Sequence, residues 1–223
     1  MRAQTANILQ LLLDSGALKF GSFVTKSGRI SPYFFNLGAI ASGPAMAQLA
    51  SMFAAAIQLY FPSANLVFGP AYKGIPLAVA TAMAAANAGK ELGFAFDRKE
   101  AKMHGEGGIF VGATIDAAKR IVIVEDVLTG GTSLRATMEK LRGTPATILG
   151  AVVALNRQER GLGTKNAAQE FENEFRLPIR SLIALDEILE LLVGREFCGK
   201  RWLTDSDVDA IRTTAIRVDL PGG

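Results

Sequence analysis

Residues 121–133 read IVIVEDVLTGGTS, and this stretch decides the fold. Ile121 to Val124 form an unbroken apolar run with no polar side to give to water, so they predict a strand buried on both faces. The strand delivers two adjacent carboxylates, Glu125 and Asp126, to its end. Val127 and Leu128 connect them to five small residues, Thr129 to Ser133, which lead into a helix predicted from about Leu134 to Leu141. Gly130 and Gly131 let a ligand approach the backbone closely. Free amides at the helix start, with the helix dipole behind them, form an anion site, and the hydroxyls of Thr129, Thr132 and Ser133 add donors. The acids would repel a phosphate, so they suit sugar hydroxyls or a cation beside it. The combination asks for a phosphate joined to a polyol, such as a ribose phosphate. TGGTS alone reads more simply as a glycine turn before a capped helix; strand, acid pair and TGGTS together favour the ligand. The spacing of a Walker A loop, GxxxxGK[ST], is absent.

Outward from this stretch, short apolar strands alternate with helical spacings. A helix over Asn7–Leu13 stops at Gly16. Phe20 to Phe35, aromatic and carrying Pro32, predicts irregular or strand-and-turn structure. Ser42 caps a helix that runs to Tyr60 and ends by Pro62. Strands follow at 65–68 and 94–96, with an Ala-rich helix between them, and a long polar loop occupies 97–108. Beyond the central stretch come a strand at 147–155, a helix near Glu170, a strand at 179–185 and a helix opened by Asp186. The pattern predicts an α/β fold with a central, mainly parallel sheet flanked by helices on both faces. It spans residues 1–223 as one domain, with about the first forty as a small cap. Cys198 reads as a structural thiol, and the tail from Arg212 as partly disordered.

Composition narrows the function. The 223 residues hold 24 Lys plus Arg against 21 Asp plus Glu, with one His and one Cys. One Cys excludes an internal disulfide or cysteine zinc site, and one His excludes a multi-histidine metal centre. A net charge of +3 with no long basic run gives no sign of nucleic-acid binding. No stretch reads as a membrane span or secretory signal, so the expected location is cytoplasmic.

Three further segments carry chemistry. FGPAYKGIP (68–76) projects Lys73 from a tight glycine-proline loop toward the edge that holds the acid pair, and suits a second anion such as a diphosphate. A strand–helix turn with a solvated lysine explains that segment equally well. DRKEAKMHGEGG (97–108) places Arg98, Lys99, Lys102 and His104 beside Gly105, Gly107 and Gly108, as a lid closing on a polyanion requires; a mobile solvated loop is the commoner meaning of such charge. KSGRISPYFFN (26–36) sets Lys26 and the pair Phe34–Phe35 near a proline turn. Such aromatics flank a planar ring or, more often, form core.

In this order and spacing, the four segments resemble the orotate phosphoribosyltransferases of the type I phosphoribosyltransferase superfamily. The acid-pair loop marks the superfamily, and the other three segments are specific to the orotate enzymes. The resemblance implies transfer of a phosphoribosyl group from 5-phosphoribosyl 1-diphosphate (PRPP) to orotate, with Mg²⁺ held mainly by substrate and water. By similarity, Thr129 to Ser133 hold the 5′-phosphate, and Glu125 and Asp126 meet the ribose. Tyr72 and Lys73 meet the diphosphate, with a cis peptide before the tyrosine, and Lys26 contacts the donor. Phe34, Phe35, Thr129 and Arg157 surround orotate. Lys73, Lys102, His104 and Asp126 carry the catalysis. Residues matching Arg98, Lys102 and His104 reach into the neighbouring subunit, while Lys99 acts in its own, which implies a homodimer with shared sites. The chain departs from the family at Glu125, where Asp is common, at Gly131, where Ala is common and glycine should loosen the loop, and at Met103, which replaces an acid. A phosphoribosyltransferase for another nucleobase, or a regulator that senses PRPP without turnover, is the alternative.

Overall fold

Six strands build the central sheet in the order β5-β4-β3-β6-β7-β8. They are β3 (Leu66–Gly69), β4 (Gly93–Lys102), β5 (Gly108–Gly112), β6 (Arg120–Leu128), β7 (Thr147–Asn156) and β8 (Ile179–Ala184). All neighbours run parallel except β5, which lies antiparallel to β4 at the edge. The computed structural model describes residues 2–24, 30–102, 108–159, 161, 163 and 165–215, without the side chains of 2, 3, 99–102 and 212–215.

The apolar runs are buried from both sides, as parallel strands require. Val122 and Val124 of β6 join one buried cluster and Ile121 and Ile123 the other; Val67 opposes Leu66 and Phe68 in the same way. The first cluster takes in α1 (Arg2–Asp14), α2 (Gly43–Tyr60), α3 (Gly74–Asn87) and α6 (Leu185–Leu192). The second is closed by α4 (Thr132–Arg142) and α5 (Ala167–Phe175), through residues such as Leu134, Leu141 and Phe171. Ser42 accepts the amide of Ala45 and caps α2, as its sequence indicated.

Three differences from the sequence reading have physical reasons. Residues 97–102 are not loop: β4 continues to Lys102 because β5 pairs with it, Asp97 opposite Phe110 and Lys102 opposite Gly108. Strand β6 passes through the acid pair to Leu128, because β7 accompanies it to Asn156. The aromatic stretch forms strands, as its strand-and-turn reading allows: a bulged antiparallel hairpin of β1 (Leu18–Val24) and β2 (Ile30–Phe35). Part of the tail is helical: α7 (Asp205–Ala215) buries Val208 and Ile211 and packs on β2, so the C-terminal region joins the cap. Residues 216–223 lie outside the described residues. Cys198 is exposed at a positive φ of 52°, not buried as a structural thiol.

Candidate active site

Strand order places the site. The chain steps from β3 to β4 and β5 on one side, then returns to β6 on the other, so β3 and β6 flank the point where the order reverses. Ligands of open parallel sheets bind there, beyond the strands' carboxyl ends. Gly69 ends β3 and opens the GPAYK loop; Leu128 ends β6 and opens TGGTS. The loops meet through charge: Lys73 Nζ lies 2.7 Å from Asp126 Oδ2. The peptide between Ala71 and Tyr72 is cis, as the resemblance implies, and Tyr72 is exposed.

Glu125 to Leu134 line a cavity of about 310 Å³. Gly131, at φ +77°, begins the turn into α4. Arg135 ties this loop to its surroundings. Arg135 donates to the Gly130 carbonyl at 3.0 Å and, through Nε, to Glu174 at 2.7 Å. A Cβ on residue 131 would come within 2.9 Å of the Arg135 guanidinium. Thr132 and Ser133 are exposed, whereas the Leu128 side chain is core, so Leu128 has only its main chain to offer a ligand. Val127 packs partly against the core.

Both acids are buried. Glu125 is pushed up to about 7 by burial, with the Asp126 charge adding to it; the hydroxyl of Ser133, donating at 2.7 Å, pulls the other way. Because the folded carboxyl titrates above its ordinary 4.5, the folded chain keeps a proton there that the unfolded chain loses. Stability from Glu125 is therefore full below about pH 4.5 and lost as pH rises through about 7. Ligand-free Glu125→Gln should lose up to roughly 3 kcal/mol less stability than the parent between pH 5 and 8. Denaturant unfolding at both pH values checks this; parallel pH dependences would remove Glu125 as the cause.

The loop after β7 lies against the end of β6. Arg157 donates its main-chain N–H to Leu128 O and its Nε to the Tyr33 hydroxyl, both at 3.1 Å. Its guanidinium lies 4.6 Å from the Tyr33 ring centroid, and Nη2 is 2.6 Å from Glu159 Oε1. The hairpin thus reaches the loop after β7 through Tyr33. Phe34 and Phe35 do not flank one space together, since strand alternation separates them. Phe35 is 8% exposed and in the core, while Phe34 is 45% exposed with its ring 5.5 Å from Phe23. Phe34 remains available to a ligand, and Phe35 acts behind it as packing.

Arg98 is half-buried, with Nη1 3.5 Å from Gly108 O across the arm. The side chains of Lys99 and Lys102, and all of Lys26 and His104, lie outside the described residues. Tyr33, Glu159 and the buried Asp97 were not singled out by the sequence. A larger groove of about 530 Å³, between α1, α2 and β8, has, among the described residues, no cation in its lining and one carboxylate, Glu187, already bonded to the Ala184 amide. It lacks the convergent charges of the β3–β6 cleft.

Comparisons with known proteins fit this geometry. The family model for the phosphoribosyl transferase domain matches residues 36–175. The chain is 46% identical to an orotate phosphoribosyltransferase of Pseudomonas syringae pv. tomato, over 88% of this chain and 92% of that protein. It is 47% identical to one of Chromohalobacter salexigens, over 86% and 83% respectively. Among solved structures, the orotate phosphoribosyltransferase of Francisella tularensis superposes with a TM-score of 0.78 at 33% identity, covering 92% of this chain and 95% of that one.

Proposed function

The chain belongs to the orotate phosphoribosyltransferases, and on that premise we propose that it transfers the phosphoribosyl group of PRPP to N1 of orotate. The products are orotidine 5′-monophosphate and diphosphate, a step of pyrimidine nucleotide synthesis. The observation that carries this reading is the pairing of Lys73 with Asp126: it brings a cationic diphosphate loop and a sugar-reading acid pair to one sheet edge.

The residues divide the work. Amides and hydroxyls of Thr129–Ser133 receive the 5′-phosphate, helped by the start of α4. Glu125 and Asp126 accept from the ribose hydroxyls. Tyr72 and Lys73 receive the diphosphate, Lys73 exchanging Asp126 for the ligand, with Lys26 and Lys99 as further donor contacts. As the C1–O bond to diphosphate breaks, positive charge develops on the anomeric carbon and ring oxygen, beside the carboxylate of Asp126. Negative charge grows on the leaving diphosphate, where Lys73, Lys102 and His104 stabilise it. Orotate N1 attacks the opposite face, so the centre inverts, while Arg157 holds the acceptor carboxylate.

Mg²⁺ supplies charge neutralisation when bound to the donor. No group of three or more His, Cys, Asp or Glu that could hold a metal occurs among the described residues. The acid pair offers hard oxygens at the sheet edge, which would suit an ion carried mainly on substrate oxygens and water. The assembly is a homodimer in which Arg98, Lys102 and His104 serve the neighbouring site. The location is cytoplasmic, in keeping with the absence, among the described residues, of any helix long and apolar enough to cross a membrane.

The direct test mixes the chain with orotate, PRPP and Mg²⁺ and follows the loss of orotate absorbance, with uracil, hypoxanthine and adenine as rival acceptors. Turnover of another base alone, or binding of PRPP without turnover, overturns the reading. Arg157→Ala should raise the orotate KM by about tenfold to a hundredfold, as expected for loss of a charge-assisted bidentate bond, and leave the PRPP KM nearly unchanged. An unchanged orotate KM would place the acceptor carboxylate elsewhere.

A further inference from the structure

Asp97 is one of three buried carboxylates among the described residues, and the other two are the acid pair. At 1% exposure it is closed off from any ligand. Its two oxygens go to different elements. Oδ1 accepts the main-chain N–H of Ala71 at 2.6 Å, in the loop that carries Tyr72 and Lys73. Oδ2 pairs with the ammonium of Lys140, on the helix that starts at the 5′-phosphate loop. A buried carboxylate is costly unless it is both hydrogen-bonded and ion-paired. Here each requirement is met by a different loop-bearing element. Displacing either element relative to the other leaves the charge undersatisfied, and this resists their separation.

The second tie between these regions, Lys73 to Asp126, cannot fix their spacing during turnover, because the donor engages both groups. Asp97, closed off from the cleft, makes no contact that a ligand entering it would replace. We propose that Asp97 is a positioning residue that sets the distance between the diphosphate loop and the 5′-phosphate helix, so that one donor molecule spans both. The inference rests on PRPP being the ligand, and it separates ligands that span the two anion sites from ligands that occupy one.

Calorimetric titration of the intact chain, with Mg²⁺ present, tests it with three probes. PRPP spans both sites, orotidine 5′-monophosphate carries only the 5′-phosphate, and inorganic diphosphate fills only the other site. Asp97→Ala is expected to weaken PRPP by about tenfold or more, because small misplacements of an anchoring group are costly, and to leave the other two probes within about threefold. Asp97→Asn keeps an acceptor for Ala71 and loses the charge opposite Lys140. It should recover part of the PRPP affinity, with a thermal midpoint near that of the parent. Equal weakening of all three probes in both variants overturns the proposal as general damage, and unchanged PRPP affinity in Asp97→Ala overturns it as an idle contact. If the parent chain binds PRPP and the variant is unaffected, only the positioning role fails; a parent that binds none of the probes overturns the functional reading and this inference with it.

Discussion

Gly69→Ala is expected to melt roughly 5–10 °C below the parent, since overpacking a tight interior costs about 1–3 kcal/mol or more and each kcal/mol is worth a few degrees at this length. Its PRPP KM should rise by about tenfold or more, for the same reason that small shifts of a positioned group are costly. The cause is steric. Gly69 ends β3 and Gly74 begins α3, and the loop between them folds back until the two backbones touch. An alanine Cβ at 69 would lie 1.9 Å from Gly74 O, 2.4 Å from Gly74 C and 2.8 Å from the Ala78 Cβ. These are main-chain and helix atoms, not the tip of a flexible side chain, so α3 or β3 must move. Either movement drags Tyr72 and Lys73 with it and disturbs the pair that Lys73 makes with Asp126. Thermal melts and donor titrations check both parts. A variant with parental midpoint and parental PRPP KM would show that the loop has slack that its backbone contacts deny.

What the sequence disclosed follows from how local each signal is. Ile121 to Val124 announce a strand buried on both faces without help from any other part of the chain, and the alternation of Val122 and Val124 against Ile121 and Ile123 bears this out. Ser42 announces a cap because its partner, Ala45, is three residues away. Residues 97–102 are legible as strand only through Gly108–Gly112, which lend a polar segment its hydrogen-bond partners. Helix α7 was hidden because its apolar residues are sparse, and only the surface of β2 gives Val208 and Ile211 a place to be buried.

The same distinction governs the site. Glu125, Asp126 and the TGGTS loop are contiguous, so their chemistry reads directly, and the structure adds their partners: Lys73 for Asp126, Ser133 for Glu125 and Arg135 for the Gly130 carbonyl. Asp97 reads as one more charge in a charged run until the fold turns it inward onto Ala71 and Lys140. Glu159 and Tyr33 have meaning only beside Arg157, which lies 124 positions from Tyr33 in the chain. The pair Phe34–Phe35 reads from sequence as either a ligand wall or core, and the strand divides it, sending Phe35 into the core and Phe34 to the opposite face.

Lys102→Ala is expected to lower kcat by about a hundredfold to a thousandfold, the usual loss when one group that stabilises developing charge is removed, with little change in orotate affinity. In the proposed shared site this residue acts in trans. Lys102 is the last residue of β4, opposite Gly108, on an arm that runs past Asp97. Its partner Gly108 lies only two residues from Phe110, the partner of Asp97, so the five-residue step of β4 from Asp97 to Lys102 bulges against β5. In the proposed homodimer, the body with Lys73 and Asp126 comes from one chain and Lys102 from the other. Mixing inactive Lys102→Ala with inactive Lys73→Ala then rebuilds one intact site in each mixed dimer, and random reassortment should return about a quarter of parental activity. If Lys102 acted in its own subunit, each mixed dimer would hold two damaged sites and activity would stay at the level of the parent variants. Near-normal turnover by Lys102→Ala alone would remove the arm from the chemistry altogether.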